Sequence, residues 1–184
     1  MIEIVVVTAL IGVFFALAVP VTTHAVDASR GRAASGFVAA RLRLARQQAV
    51  FRTASVGLVF DQIGGRWLVR VCVDGNGNGL RRAEIADGTD RCPDGPHDIA
   101  HLFPGVDIAV DPGLRGPEGE PGSSDPIRFG SSNIASFSPE GTCTAGTLFL
   151  RSAGGRQYAV RVGNITGRTR VLLYDPGSRT WRSA

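Results

Sequence analysis

The short run with the most chemical potential is Gly167-Arg168-Thr169-Arg170. Two arginines two apart on a strand point to one face, because side chains alternate along extended backbone. Their guanidinium forks match phosphate geometry and would clamp consecutive phosphates without reading base sequence. Arg161, Arg179 and Arg182 would extend the patch, and Trp181 would stack on an unpaired base. A hairpin closure packed for structural reasons uses the same residues.

Asp74-Gly75-Asn76-Gly77-Asn78-Gly79 places side-chain oxygens at loop positions 1, 3 and 5 and a glycine at position 6, the first half of an EF-hand calcium loop. The bidentate acid belongs at position 12, which is Ile85, and Glu84 stands one residue early. With one carboxylate in the first half, calcium would bind weakly. A Gly/Asn-rich hairpin loop accounts for the same residues without a metal. His97 and His101 are four apart, the histidine spacing of a zinc protease, but that chemistry needs a helix and a Glu base. Here Asp98 holds the base position, and Pro96 and Pro104 bracket the stretch, so a strand or loop is expected. A membrane-anchored metalloprotease is therefore the remote alternative. Cys72 and Cys92 flank the Asn/Gly loop. In an oxidising compartment a bridge between them would contribute roughly 3 kcal/mol, with Cys143 outside the pair. Two buried thiols fit equally well. No Ser/His/Asp set and no phosphate-cradling glycine loop stands out.

The elements that must position these residues follow from composition. The chain has 184 residues, room for one domain and an appendage. Apolar residues make up 43%, too many for a disordered chain, and 24 Gly with 10 Pro favour a turn-rich β domain. All 20 basic residues are Arg, against 16 acids. Residues 1–55 carry six Arg and two acids, residues 56–128 seven Arg and twelve acids, and residues 129–184 seven Arg and two acids. The net charges are +4, −5 and +5, summing to the formal +4 of the whole chain. Any polyanion must therefore meet a local patch rather than a uniformly basic surface.

From Ile4 to Val21 the chain runs eighteen residues without a charge. As a helix these cover roughly 27 Å, close to the hydrocarbon thickness of a bilayer. A signal peptide would start basic and have a shorter apolar core. Glu3 at the head of the run costs several kcal/mol in lipid unless paired. Pro20 lacks a donor N–H and should kink or loosen the helix. Beyond it, Val38, Leu42, Ala45 and Ala49 fall on one helical face, with Phe37, Leu44 and Phe51 widening it and arginines around it. Gly31 and Gly36 are the expected weak points of this stem. The stem arginines read more readily as a solvated face than as a DNA-binding helix.

From residue 54 the pattern turns extended, with strand-like runs at ASVGLVF, RWLVRVCV, HLFPGVDIAV, PIRFG, GTLFLR, RQYAVRV and RTRVLLY. No strand–helix repeat occurs, which argues against a parallel α/β sheet. Residues 111–126 hold four Pro and four Gly and read as a mobile loop. The expected fold is α+β: a long N-terminal helix, half transmembrane and half amphipathic, packed on an antiparallel sheet or sandwich. The division falls at 1–52 for the helix and 53–184 for the β domain.

MIEIVVVTALIGVFFALAVP resembles the N-terminal segment of type IV pilins and type II secretion pseudopilins, with Glu3 and Pro20 at that group's spacing. RLRLARQQAVFR, FSPEGTCTAGTLFLR and TGRTRVLLY are similar to the FimT/GspH family of minor pilins and secretion pseudopilins. The resemblance implies a non-enzymatic subunit without a resident cofactor, calcium being the one candidate. It implies partners among other pilin-like subunits, met through the N-terminal helix, and an inner-membrane anchor with a periplasmic β domain. Glu3 would then neutralise the N-terminal amine of a neighbour. It also implies a leader ending in Gly and an N-methylated Phe ahead of Glu3, where this sequence has Met1. A basic leader of that kind would restore the charge bias that the arginines after the anchor otherwise reverse. In the FimT branch a C-terminal GRxR element, here Gly167 to Arg170, goes with DNA binding during transformation.

Overall fold

A computed structural model of the chain describes residues 2–163 and 166–184, and within the long helix the side chains of residues 12–21 fall outside the description. Helix α1 (Ile2–Arg52) is continuous over 51 residues, so the backbone is helical through position 20, where a kink or loosening was expected. The Pro20 side chain lies outside the described residues. Among the described residues no helix is long and apolar enough to cross a membrane. The helix stops where Thr53 adopts a left-handed φ of 52°.

Among the described residues ten strands follow: β1 (Val56–Ile63), β2 (Arg66–Val73), β3 (Arg91–Asp98), β4 (Val106–Asp107), β5 (Ile127–Arg128), β6 (Ile134–Phe137), β7 (Gly146–Ser152), β8 (Gln157–Val162), β9 (Thr169–Asp175) and β10 (Thr180–Ser183). Two short helices, α2 (Arg82–Asp87) and α3 (Ile99–Leu102), lie in the connections. All pairings are antiparallel. One sheet runs β3-β2-β1-β6; the other runs β10-β9-β8-β7-β4, with β5 also on β7. Strand β3 departs from the sequence reading, since RCPDGPHD has no apolar alternation and pairs with β2 through two register shifts. The expected HLFPGVDIAV strand shrinks to β4, because Ile99–Leu102 turns helical on an Asp98 cap.

The docked half of α1 lies on the inner faces of both sheets. Val38, Leu42, Ala45 and Ala49 are fully buried there, with Leu58 and Phe60 from β1, Leu148 and Leu150 from β7, and Tyr158 and Val160 from β8. The expected widening of this face fails towards the helix end. Phe37 packs on Phe103 and His97, but Leu44 is 41% and Phe51 89% exposed. Residues seven apart drift by about 20° per heptad on a straight helix, which carries Phe51 away from the sheets.

Docking is fixed by a few specific contacts. Asp27 accepts hydrogen bonds from Ser152 Oγ at 2.6 Å and Gly154 N at 2.9 Å. Partial burial works to raise the Asp27 pKa, yet these hydrogen bonds and the nearby Arg156 and His24 charges hold it below the ordinary aspartate range. Tyr158 donates its hydroxyl to the Ala28 carbonyl at 3.1 Å, laying its ring over Gly31. A Cβ at Gly31 would stand 2.3 Å from Tyr158 Cε2. The expected weak point is thus a close packing contact, and a methyl group has no room.

Each sheet has a second, outer face, and each is covered by its own excursion. Leu80 and Ile85 from the loop after β2 cover Val59, Cys72 and Ile134. Val110 and Leu114 from the Pro/Gly-rich connection, with Leu172, Tyr174 and Trp181, cover Phe149 and Ala159. Within the 111–126 segment, read from sequence as a mobile loop, Leu114 is buried against the second sheet and a turn is closed by Gly116 N to Glu120 O at 2.9 Å.

Candidate functional site

The turn from β8 into β9 carries the Gly-Arg-Thr-Arg run. Gly163 N donates to Arg168 O at 3.1 Å and Gly167 N to Gly163 O at 3.0 Å, closing the turn. Gly167 has φ 58°, and a Cβ there would lie 2.8 Å from Arg46 Nε and 3.0 Å from Gly141 O. Glycine is required twice over, by backbone conformation and by the approach of the stem. Arg46 reaches this turn from α1 and donates its Nε to the Gly141 carbonyl at 3.2 Å.

This contact opens a cleft of about 480 Å³ between stem and turn, lined by Arg43, Arg46, Gln47, Thr166, Arg168 and Thr169 among others. Arg43, Arg46 and Arg168 are exposed, and among the described residues none of the three forms an ion pair. Among the described residues no carboxylate lines the cleft. Thr169 is buried, and its Oγ1 has no hydrogen-bond partner. Three uncompensated guanidiniums around one opening are suited to an anion with several oxygens.

The other residues expected in an arginine patch go elsewhere. Arg168 precedes the first residue of β9 and lines the stem-side cleft. Arg170 lies on β9 opposite Arg161, on the outer face shared with Leu172, and is exposed. Arg161 is held by Glu118 and by Glu120 at 3.1 Å, and donates to Thr147 Oγ1 at 3.0 Å. Arg182 pairs with Asp175 at 2.7 Å. Trp181 packs on Phe149 and Tyr174 and donates Nε1 to Arg115 O at 2.9 Å, so its ring is not offered to a base. Arg179 occupies a left-handed turn position, φ 53°. The patch expected from sequence thus divides, and the cleft recruits Arg43 and Arg46 instead. Neither carries a local signal: on the helix they resemble any solvated arginine.

In the Asn/Gly loop, Asp74 accepts backbone N–H groups from Asn76, Gly77 and Gly79 at 3.0, 2.8 and 2.7 Å. Burial opposes ionisation of Asp74, but these donors outweigh it and lower its pKa. Asn76 and Asn78 donate their side-chain amides to Glu84 at 3.1 and 2.8 Å. Asp90, which sequence reasoning missed, is buried and accepts from Gly75 N and Arg81 N, both at 3.0 Å. The loop therefore closes on itself through its own donors, and the Cys72–Cys92 disulfide ties its ends. His97 stands in β3 between Arg41 and Asp94, at 3.2 and 2.9 Å, while His101 lies on α3. Among the described residues no group of three or more His, Cys, Asp or Glu is arranged to hold a metal ion. Glu3 is exposed at the start of α1, with no described hydrogen-bond or ion-pair partner.

Over residues 37–167 the chain matches the family described as type II transport protein GspH. No curated protein and no solved structure matches it. The matched stretch is 131 of the 184 residues and takes in the docked stem and strands β1 to β8, ending one residue before Arg168. The chain belongs to the GspH family, whose members are structural pseudopilins rather than enzymes.

Proposed function

We propose that this chain is a membrane-anchored subunit of a type II secretion pseudopilus, assembled through the N-terminal half of α1. The observation that carries the reading is the unequal covering of one continuous helix. Its C-terminal half is docked on the β domain, whereas Ile2, Ile4, Val5, Val6, Val7, Leu10 and Ile11 are all about half or more exposed. A folded protein does not leave such a row in water, and the apolar sequence continues to Val21. Lipid covers it first, in the inner membrane with the β domain on the periplasmic side; like helices of neighbouring subunits cover it in the assembled filament. Glu3 then finds its counter-charge in a neighbour's N-terminal amine, which sets the register. Pro20, lacking its N–H, eases local bending as the helix leaves lipid.

Crosslinking in cells tests this. The chain should crosslink to other pilin-like subunits, Glu3→Ala should weaken that crosslinking, and deletion should impair secretion. A protein that is always solitary, with Glu3→Ala behaving as wild type, overturns the reading.

A second reading is favoured by the stem-side cleft: a DNA-capturing minor pilin, in which Arg168 acts with Arg43 and Arg46 on backbone phosphates and Arg170 adds an exposed charge beyond them. Binding of duplex DNA should be independent of base sequence and fall steeply with salt. Absence of binding at low salt disposes of it.

A further inference from the structure

A second group of arginines lies at the opposite end of the β domain, where α1 emerges from its apolar run. Two turns reach back along the helix there. The α3–β4 turn brings Pro104 and Gly105, and the β7–β8 turn brings Ala153, into a pocket floored by Thr22 and Thr23 of α1. Thr22 immediately follows Val21, the last residue of the apolar run. The direct contacts of these turns are with Asp27 and Arg30, six and nine residues beyond Val21, so the turns dock about 9–14 Å along the helix from the end of the apolar run. A bilayer of roughly 30 Å hydrocarbon and 40–45 Å total thickness carries about 5–8 Å of headgroup on each side, so the domain stands just above that layer and long arginine side chains reach back to its outer edge.

The charges at this level are mostly of one sign. Arg30 and Arg32 project from α1, while Arg151 and Arg156 bracket the β7–β8 turn, and all four are exposed. Arg30 donates to Pro104 O at 3.2 Å, which leaves its charge uncompensated. The acids nearby are Asp27, held by Ser152 and Gly154, and Asp107, which faces Arg151 across the β4–β7 pair. His24 and His101 are exposed at the same end. Val26 and Leu102, 47% and 44% exposed, supply apolar tips beside the arginines. Arginine heads with apolar stems and neighbours suit a lipid–water boundary. The Asp27 lock fixes the height of the β7–β8 turn on the helix, and so the height of the ring.

We propose that Arg30, Arg32, Arg151 and Arg156 form a collar that seats on the phosphates of anionic phospholipid headgroups where α1 leaves the bilayer. The collar rests on the membrane-anchored reading above, and it sets how the β domain stands on the membrane before assembly. An arginine close to an anionic surface contributes a useful attraction that fades within a Debye length, so contact must be near.

The test is hydrogen–deuterium exchange of the full chain reconstituted in vesicles of phosphatidylcholine alone or mixed with phosphatidylglycerol. Amides of 103, 105, 106 and 153–156 should exchange about five-fold more slowly in the anionic vesicles, the order expected of one arginine at such a surface. Salt at about 1 M, where the Debye length is near 3 Å, should remove the difference. Arg30→Gln with Arg151→Gln and Arg156→Gln should remove it too, and Lys at the same three positions should restore it. Equal exchange in both vesicles, with residues 4–21 protected in both, overturns the collar and leaves the anchor standing. Protection that survives in the Gln variant or at high salt also overturns it. If residues 4–21 are unprotected in either vesicle, the anchor fails and the collar with it.

Discussion

Arg161 and Arg168 stand on opposite sides of one turn, and their surroundings differ completely. On the outer face of the second sheet, Arg161 is enclosed by Glu118 and Glu120 and Trp181 by aromatic neighbours and the Arg115 carbonyl, while on the edge strand Arg182, opposite Leu173, is paired with Asp175. On the stem side, Arg168 faces Arg43 and Arg46, and no carboxylate lines the space between them. With no lysine in the chain, residue type cannot separate the two regions. The acids do: the Pro/Gly-rich connection carries Glu118 and Glu120 to Arg161 on the outer face, whereas among the described residues no carboxylate lines the stem-side cleft. A candidate anion site is therefore located by where the counter-charges are missing, not by where arginines are dense.

The strongest way to break this contrast is to remove one side at a time. Arg43→Ala with Arg168→Ala should lower affinity for duplex DNA about 100-fold and reduce the salt slope by about two. Arg161→Ala with Arg182→Ala should leave both unchanged within a factor of about two, since those guanidiniums are already engaged by carboxylates. Fluorescence anisotropy across a salt series reads both quantities. Equal losses from the two pairs erase the distinction.

How much of this was legible in the sequence depends on the range of the interactions involved. The docked face of α1 at Val38, Leu42, Ala45 and Ala49 could be read, because a helical period repeats within a few residues. Strands β1, β2, β7, β8 and β9 could be read as extended apolar runs bounded by turn residues, with alternation visible in β2 and β8. Strand β3 could not, since its Pro and Gly are accommodated by irregular pairing with β2 that nothing local announces. Arg168 was legible as a candidate, but its neighbours were not. Arg46 lies 121 positions before Gly167, and only the fold brings the two together. The same applies to Glu118 and Glu120, whose loop read as mobile because proline and glycine content is visible while a docking surface for Leu114 is not.

Stability gives the next test, smaller in size. Trp181→Ala should cost about 2 kcal/mol, since the half-buried ring covers Phe149 and ties the last strand to Arg115. The melting temperature should fall by about 4–8 °C for a chain of this length, with DNA affinity unchanged. A loss of affinity without a loss of stability would return Trp181 to a binding role. On the stem side, Gly167→Ala should cost about 1–2 kcal/mol, through the left-handed φ and the crowding against Arg46. It should also weaken DNA binding, because Arg168 is positioned by that turn.

The smallest effect lies in the pH dependence of the outer face. Burial works to raise the Glu120 pKa, but hydrogen bonds from the Glu118 and Glu120 backbone N–H groups, with the charges of Arg161 and Arg128, hold it below the usual range. A carboxylate depressed in the folded state stabilises the fold at pH above its unfolded value, about 4.3, and that stabilisation is lost as pH falls through the folded value. Arg161→Gln removes part of the depression, so wild type should exceed the variant by about 0.5–1 kcal/mol at neutral pH. The gap should close progressively below about pH 4, where Glu120 becomes protonated in wild type as well. Urea unfolding at neutral and acid pH measures it. A gap that stays constant across that range would mean that Arg161 holds the loop by packing its stem, and the carboxylates would lose their place in explaining why the outer face is closed to anions.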